Sequence, residues 1–154
     1  MKSDEQRLLD EIGPAAARRG FYTKAELLAI GRWKANRVIG LLDRNSDADI
    51  EDVTRMALAA PLRFRHRVLA ILSGVQRPMA SALLTIWDPK THTIIDVNAV
   101  STLHHFGKLP TAKANDVGYV EYLDTCRKIV EQAGDGVTLR DLDRALWKWW
   151  DAYK

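Results

Sequence analysis

Cysteine is nearly absent. Cys126 stands alone among 154 residues, so no internal disulfide can form, and the chain suits a reducing compartment such as the cytosol. The four histidines are scattered, and no Cys/His spacing matches a zinc site, so neither metal nor cofactor is expected. No apolar run is long enough to cross a bilayer, which argues against a membrane partner. The opening MKSDEQRLLDEIG is too polar for a secretory signal. Strand alternation, internal repeats, low-complexity tracts and linker-like Pro/Gly/Ser stretches are all missing. What remains is an ordinary globular composition, 47% hydrophobic and 28% charged, which excludes an intrinsically disordered chain. That length supports one domain, residues 1–154, with a sizeable core.

Helical punctuation fills the gap left by strands. A first helix spans about Asp4 to Arg19 and stops at Gly20. Thr23 with Glu26 makes a capping box that opens a helix through Leu27, Leu28 and Ile30. A further helical stretch from Trp33 to Asp43 puts Val38, Leu41 and Leu42 on one face. Ser46 or Asp49 caps the next helix, where Ile50, Val53, Met56 and Ala57 recur at helical spacing. Pro61 ends that helix and starts another reaching Leu72. After a tight turn at Ser73-Gly74, a helix runs to Trp87 and breaks at Asp88-Pro89. The segment THTII is short and extended, and Asp96 stands where it would cap a helix ending near Gly107. Beyond the loop GKLPTAKANDVG, two helices close the chain: Tyr119–Ala133, then one capped by Thr138. In the last, Leu139, Leu142, Leu146, Trp149, Trp150 and Tyr153 form one core-like stripe. Trp147 falls off it, beside Arg140, Asp143 and Asp151. The predicted fold is all-α, a compact multi-helix domain.

Net charge is only +3, but its distribution is uneven. Residues 1–60 hold ten Lys/Arg against ten Asp/Glu, and residues 116–154 hold six against eight. Residues 61–115 hold seven (Arg63, Arg65, Arg67, Arg77, Lys90, Lys108, Lys113) against Asp88 and Asp96 alone. A basic middle third is where a polyanion would sit, and equally a solvated basic helix face.

The most informative segment is LSGVQRPMASALLTIWDPKTHTIIDVNAV, residues 72–100. Gly74 permits a sharp turn between two helices and a close backbone approach. The second helix starts near Gln76 or Arg77, so its unsatisfied N–H groups form an anion site. Ala80, Ser81 and Ala82 are small enough for tight helix packing. Such a turn, built from Gly74, Val75, Gln76 and Arg77, can grip one DNA phosphate without reading sequence.

This segment resembles the signature of the helix-hairpin-helix base-excision DNA glycosylases. Leu72-Ser73-Gly74-Val75 matches the family's Leu-Pro-Gly-Val/Ile turn, and Ala80 falls on its small residue. Pro89 lies near the family's proline. Ile95-Asp96 matches the apolar residue and catalytic aspartate at the usual interval. The similarity covers about thirty residues, lying within a hairpin over about 62–87 and a catalytic-aspartate segment over about 88–107. It implies a glycosylase-like helical fold, DNA as partner through the phosphate backbone and one flipped base, and Asp96 as the catalytic carboxylate. The departures are specific. Gln76 replaces the second hairpin glycine, Asn98 stands where a histidine is common, and no four-cysteine cluster is present. Pro78 occupies the position of the lysine in bifunctional members, which implies a monofunctional enzyme that leaves the strand intact.

The chemistry asks for little. A carboxylate beside C1′ stabilises a cation-like sugar and orients water. Asp96 also suits a plain N-cap, and the two roles are compatible. A flipped base needs an aromatic or apolar wall, for which Tyr22, Trp33 and Lys34 are candidates; Trp33 and Arg37 lie one helical turn apart. His104-His105 reads best as a surface pair, and Cys126 as an inert core thiol. Three functions stay open: a small monofunctional glycosylase acting on a damaged or modified base, a non-catalytic hairpin DNA-binding module, and a helical protein-interaction domain.

Overall fold

The computed structural model describes all 154 residues; it is all-helical, without a strand. We number nine helices. α1 runs as Asp4–Arg7, a π-wound stretch Leu8–Ile12, and Gly13–Arg19. α2 is Lys24–Lys34; α3 is Ile39–Leu42, entered by a 3-10 turn; α4 is Asp47–Ala59; α5 is Leu62–Leu69; α6 is Arg77–Trp87. α7 is Val97–His105, α8 Tyr119–Ala133 and α9 Leu139–Tyr153. No helix is long and apolar enough to cross a membrane. The chain divides into two compact units, Met1–Asp88 and Pro89–Lys154. The hairpin belongs to the first and Asp96 to the second.

The first unit is organised around α6. Every residue from Met79 to Ile86 is buried, the mark of a helix enclosed on all sides. α1, α2 and α5 pack against it. The approach of α1 is close enough that a Cβ on Gly13 would collide with the carbonyl oxygen of Ile86. Tyr22, fully buried, donates its hydroxyl to the Leu83 carbonyl at 2.6 Å, and its N–H bonds Thr54 Oγ1 at 2.9 Å. The π winding in α1 has a local cause. Pro14 lacks an N–H and its ring crowds the preceding turn, so the chain closes one wider ring, Gly13 N–H to Leu8 O.

The second unit holds a buried, non-helical segment, His92 to Ile95, with no strand to pair with. Buried carbonyls need donors, and α8 provides them. The Tyr119 hydroxyl donates to Thr93 O at 3.2 Å, and the Tyr122 hydroxyl to Ile94 O at 3.0 Å. His92 Nδ1 lies 2.9 Å from the Tyr119 hydroxyl, the two rings stacked at 18°. The Thr102 hydroxyl meets Leu146 O at 2.8 Å and Asn98 O at 2.9 Å, tying α7 to α9.

Several sequence expectations change in detail. The stretch Trp33–Asp43 is not one helix: Ala35 (φ −156°, ψ 77°) breaks it, and Leu42 is buried while Leu41 is exposed. α5 stops at Leu69, because Ala70 to Gly74 form successive turns rather than another helical turn. Met56 is 53% exposed and lies outside the core of α4. The α9 stripe is core only at Leu139 and Leu146. Trp149 and Trp150 are half-buried, and Tyr153 is 57% exposed, in a surface aromatic cluster with His105 and Phe106. Of the residues that periodicity groups off the stripe, Trp147 is exposed, while Asp143 is buried and ion-paired to Arg140.

The α1–α6 crossing yields a stability test. Gly13→Ala should cost roughly 1–3 kcal/mol in urea denaturation, since the methyl must displace backbone. Gly40→Ala, where a Cβ meets nothing within 4 Å, should be neutral or stabilising. Equal effects at both positions would refute the close crossing.

Candidate functional site

The hairpin turn is built by local conformation and then locked by a distant loop. Leu72 and Val75 are buried plugs at either side of Gly74, which adopts φ 81°. That left-handed backbone favours glycine, and a Cβ there would also stand 3.0–3.1 Å from Leu41 and Leu42. The close approach is thus to the protein's own α3. Asn45 completes the lock. Its Nδ2 donates to Ser73 O at 3.0 Å and Leu42 O at 2.9 Å, while Ser73 N–H donates to Asn45 Oδ1 at 2.9 Å. Lys24 Nζ in turn donates to the Asp43 and Asn45 carbonyls, both at 2.9 Å.

α6 opens with Gln76 as its N-cap residue, in extended conformation and without a side-chain cap, and with Pro78 in the first turn. Gln76 is exposed and Arg77 half-exposed. Val75, expected among the phosphate-contacting residues, is engaged otherwise: its side chain is buried and its N–H donates to Leu72 O at 3.2 Å.

The basic third sorts by geometry. Arg65 donates to Ala60 O at 3.0 Å and lies 5.0 Å over the Trp87 ring, bracing the far end of the hairpin. Arg63 covers Phe64 at 4.4 Å. Arg67 and Arg77 act together on His66 between them. Burial lowers the imidazole below its ordinary range, and the two guanidinium charges lower it further. Both charges therefore lie near enough to His66 to act on it.

In the second unit, Asp96 is the N-cap of α7. It is half-buried with extended backbone, and its Oδ1 accepts the Ala99 N–H at 2.8 Å. The segment leading to it is held by Tyr119 and Tyr122 as described. Burial, followed by the nearby Cys126, Asp143 and Asp96, raises Tyr122 well above the usual phenol range, so its hydroxyl remains a donor. Burial also pushes the Cys126 thiol up to about 12, the behaviour of an unreactive core cysteine. His104 and His105 are exposed.

The base-wall candidates separate. Tyr22 is a core pillar with its hydroxyl committed to Leu83, so it presents no face to a ligand. Trp33 is half-buried and lines a cavity of about 340 Å³ between α1 and α2; Lys34, beside it in sequence, is not among the lining residues. No group of three or more His, Cys, Asp or Glu side chains is arranged to hold a metal. Sequence reasoning missed Asn45, Tyr119, Tyr122 and His92. Each acts across 26 to 28 residues of chain, beyond the reach of any local pattern. No family model, curated protein or solved structure matches the chain.

His66 gives a pH test with a defined sign. Its folded form titrates lower than its unfolded form, so the unfolded chain binds the proton first. Stability from this group should be complete above the ordinary histidine pKa of about 6.5, fall as the pH drops below it, and level off below the folded value. Urea midpoints measured between neutral and mildly acidic pH should fall less steeply for His66→Gln than for the wild type. Parallel slopes would show that His66 is not held neutral.

Proposed function

We propose that the chain is a monofunctional helix-hairpin-helix DNA glycosylase, cleaving the bond between C1′ and a damaged or modified base. In this reading Gly74, Gln76 and Arg77 hold one phosphate through main-chain and guanidinium groups. Asp96 faces the sugar of the extruded nucleotide. As the C1′–N bond breaks, the base leaves with the bonding pair and accepts a proton. Asp96 stabilises the cationic sugar and takes a proton from the water that adds to C1′. Water is the nucleophile and no imine forms, in keeping with Pro78 at the start of α6.

The observation that carries this reading is the frame around Asp96. A carboxylate at the head of a helix, half-buried, follows a segment fixed by two buried tyrosine hydroxyls. Such rigidity is what a charge-stabilising group requires. The second reading, a non-catalytic DNA-binding module, is favoured by one fact: Asp96 Oδ1 already serves as the cap of α7.

Asp96→Asn separates the two, because asparagine caps helices well but carries no charge. On a panel of duplexes bearing damaged and modified bases, base release should drop roughly a hundredfold or more, with DNA affinity unchanged or improved. A fully active variant would sink the mechanism, and a wild type inactive on every substrate but tightly bound to DNA would favour the module. DNA binding has its own check. Duplex affinity should fall steeply with salt, and Arg77→Ala should weaken it on all sequences while reducing the log–log salt slope by roughly 1. Binding indifferent to salt would remove both DNA readings.

A further inference from the structure

We propose that the cavity between α1 and α2 binds a nucleoside monophosphate, at a site independent of the hairpin and of Asp96. The cavity, about 340 Å³, is lined by Asp4, Arg7, Leu8, Ile12, Ala29, Arg32 and Trp33. Its parts answer to the parts of a mononucleotide. Leu8 is buried, and Ile12 and Ala29 are half-buried, which gives an apolar floor. Trp33, half-buried at the last turn of α2, supplies an indole as the aromatic wall. Stacking on such a ring is tolerant of base identity, because every base has a π-face.

Charge selects the rest of the ligand. Arg7 and Arg32 are exposed lining residues. Arg7 pairs with Glu11 at 3.5 Å, but both side chains are more than half exposed and Glu11 does not line the cavity. A pair of that kind is weak enough for phosphate to compete with it. The charged lining residues are two arginines against one carboxylate, so the lining carries a net positive charge. Guanidinium groups bind phosphate through paired N–H donors. Asp4 is the single lining carboxylate, an acceptor for the amino or imino edge of a base and a repulsive neighbour for a bare anion. The combination favours a planar ring joined to a phosphate over either alone.

Asp4, Arg7, Leu8 and Ile12 line one side of the cavity, at the i, i+3, i+4 and i+8 spacing that a helix puts on one face.

Isothermal titration of the full chain with AMP, GMP and UMP, without DNA, tests this directly. At least one nucleotide should bind at a single site with a Kd below about 1 mM. Adenosine and inorganic phosphate should each bind at least roughly tenfold more weakly than the best nucleotide, since each lacks one half of the recognition. Trp33→Leu and Arg32→Ala should each weaken binding by roughly tenfold or more, with circular-dichroism melting confirming that both variants fold. Trp33→Phe, which keeps a ring, should recover part of the loss and stands in if the leucine variant is unstable. No saturable binding by any of the three nucleotides, or binding that these substitutions leave unchanged, would overturn the proposal. Because no DNA is present, failure here leaves the glycosylase reading intact, and failure of that reading leaves this one.

Discussion

A buried carbonyl without a partner is costly, and this fold answers that cost with tyrosine. Tyr22, Tyr119 and Tyr122 are among the largest fully buried side chains, and each sends its hydroxyl to a main-chain oxygen. Leaving such an acceptor unmet costs about 1–3 kcal/mol. In the second unit the consequence is structural. A non-helical segment of buried backbone persists where no sheet exists, and it leads to Asp96 at the head of α7. If Asp96 is to stabilise charge rather than merely cap, its rigidity traces back to two phenols on α8.

The first unit solves a related problem with an amide. The turn before α6 is too tight for its own backbone to satisfy, and the Asn45 side chain imitates a peptide strand, donating to and accepting from Ser73. Lys24 then draws the loop carrying Asn45 toward α2 through two carbonyls. The hairpin is therefore held from behind. Its exposed side remains the start of α6, where Arg67 and Arg77 bear on His66.

How far the sequence revealed this follows from the range of each interaction. Caps depend on residues three apart, so Thr23 with Glu26, Ser46, Asp96 and Thr138 were legible, and all four cap helices as expected. Gly74 was legible because a positive φ constrains residue type. Face assignment within helices was less secure. Periodicity placed Met56, Leu41 and Tyr153 with their buried neighbours, yet whether a neighbouring element covers them is decided in three dimensions. Tyr22 was misread for the same reason: an aromatic near the chain's basic helices looks like a ligand wall until its hydroxyl is seen bonded to Leu83. Periodicity puts Asp143 off the core stripe of α9, yet in the fold it is buried against Arg140.

The π turn in α1 can be regarded as an inserted residue that the helix has absorbed instead of expelling. An α-helix advances about 100° per residue and the wider π turn advances less, so the five residues Leu8–Ile12 turn through nearly the angle that four would in regular winding, and deleting one of them would restore the α-helix with little net rotation. Gly13 would stay against α6, because the segment after the π turn is untouched. Asp4 and Arg7 would keep their face of the helix and move only closer to Gly13 along its axis. That one turn thus takes up an extra residue between the part of α1 that crosses α6 and the part that lines the cavity, without changing the face that either presents.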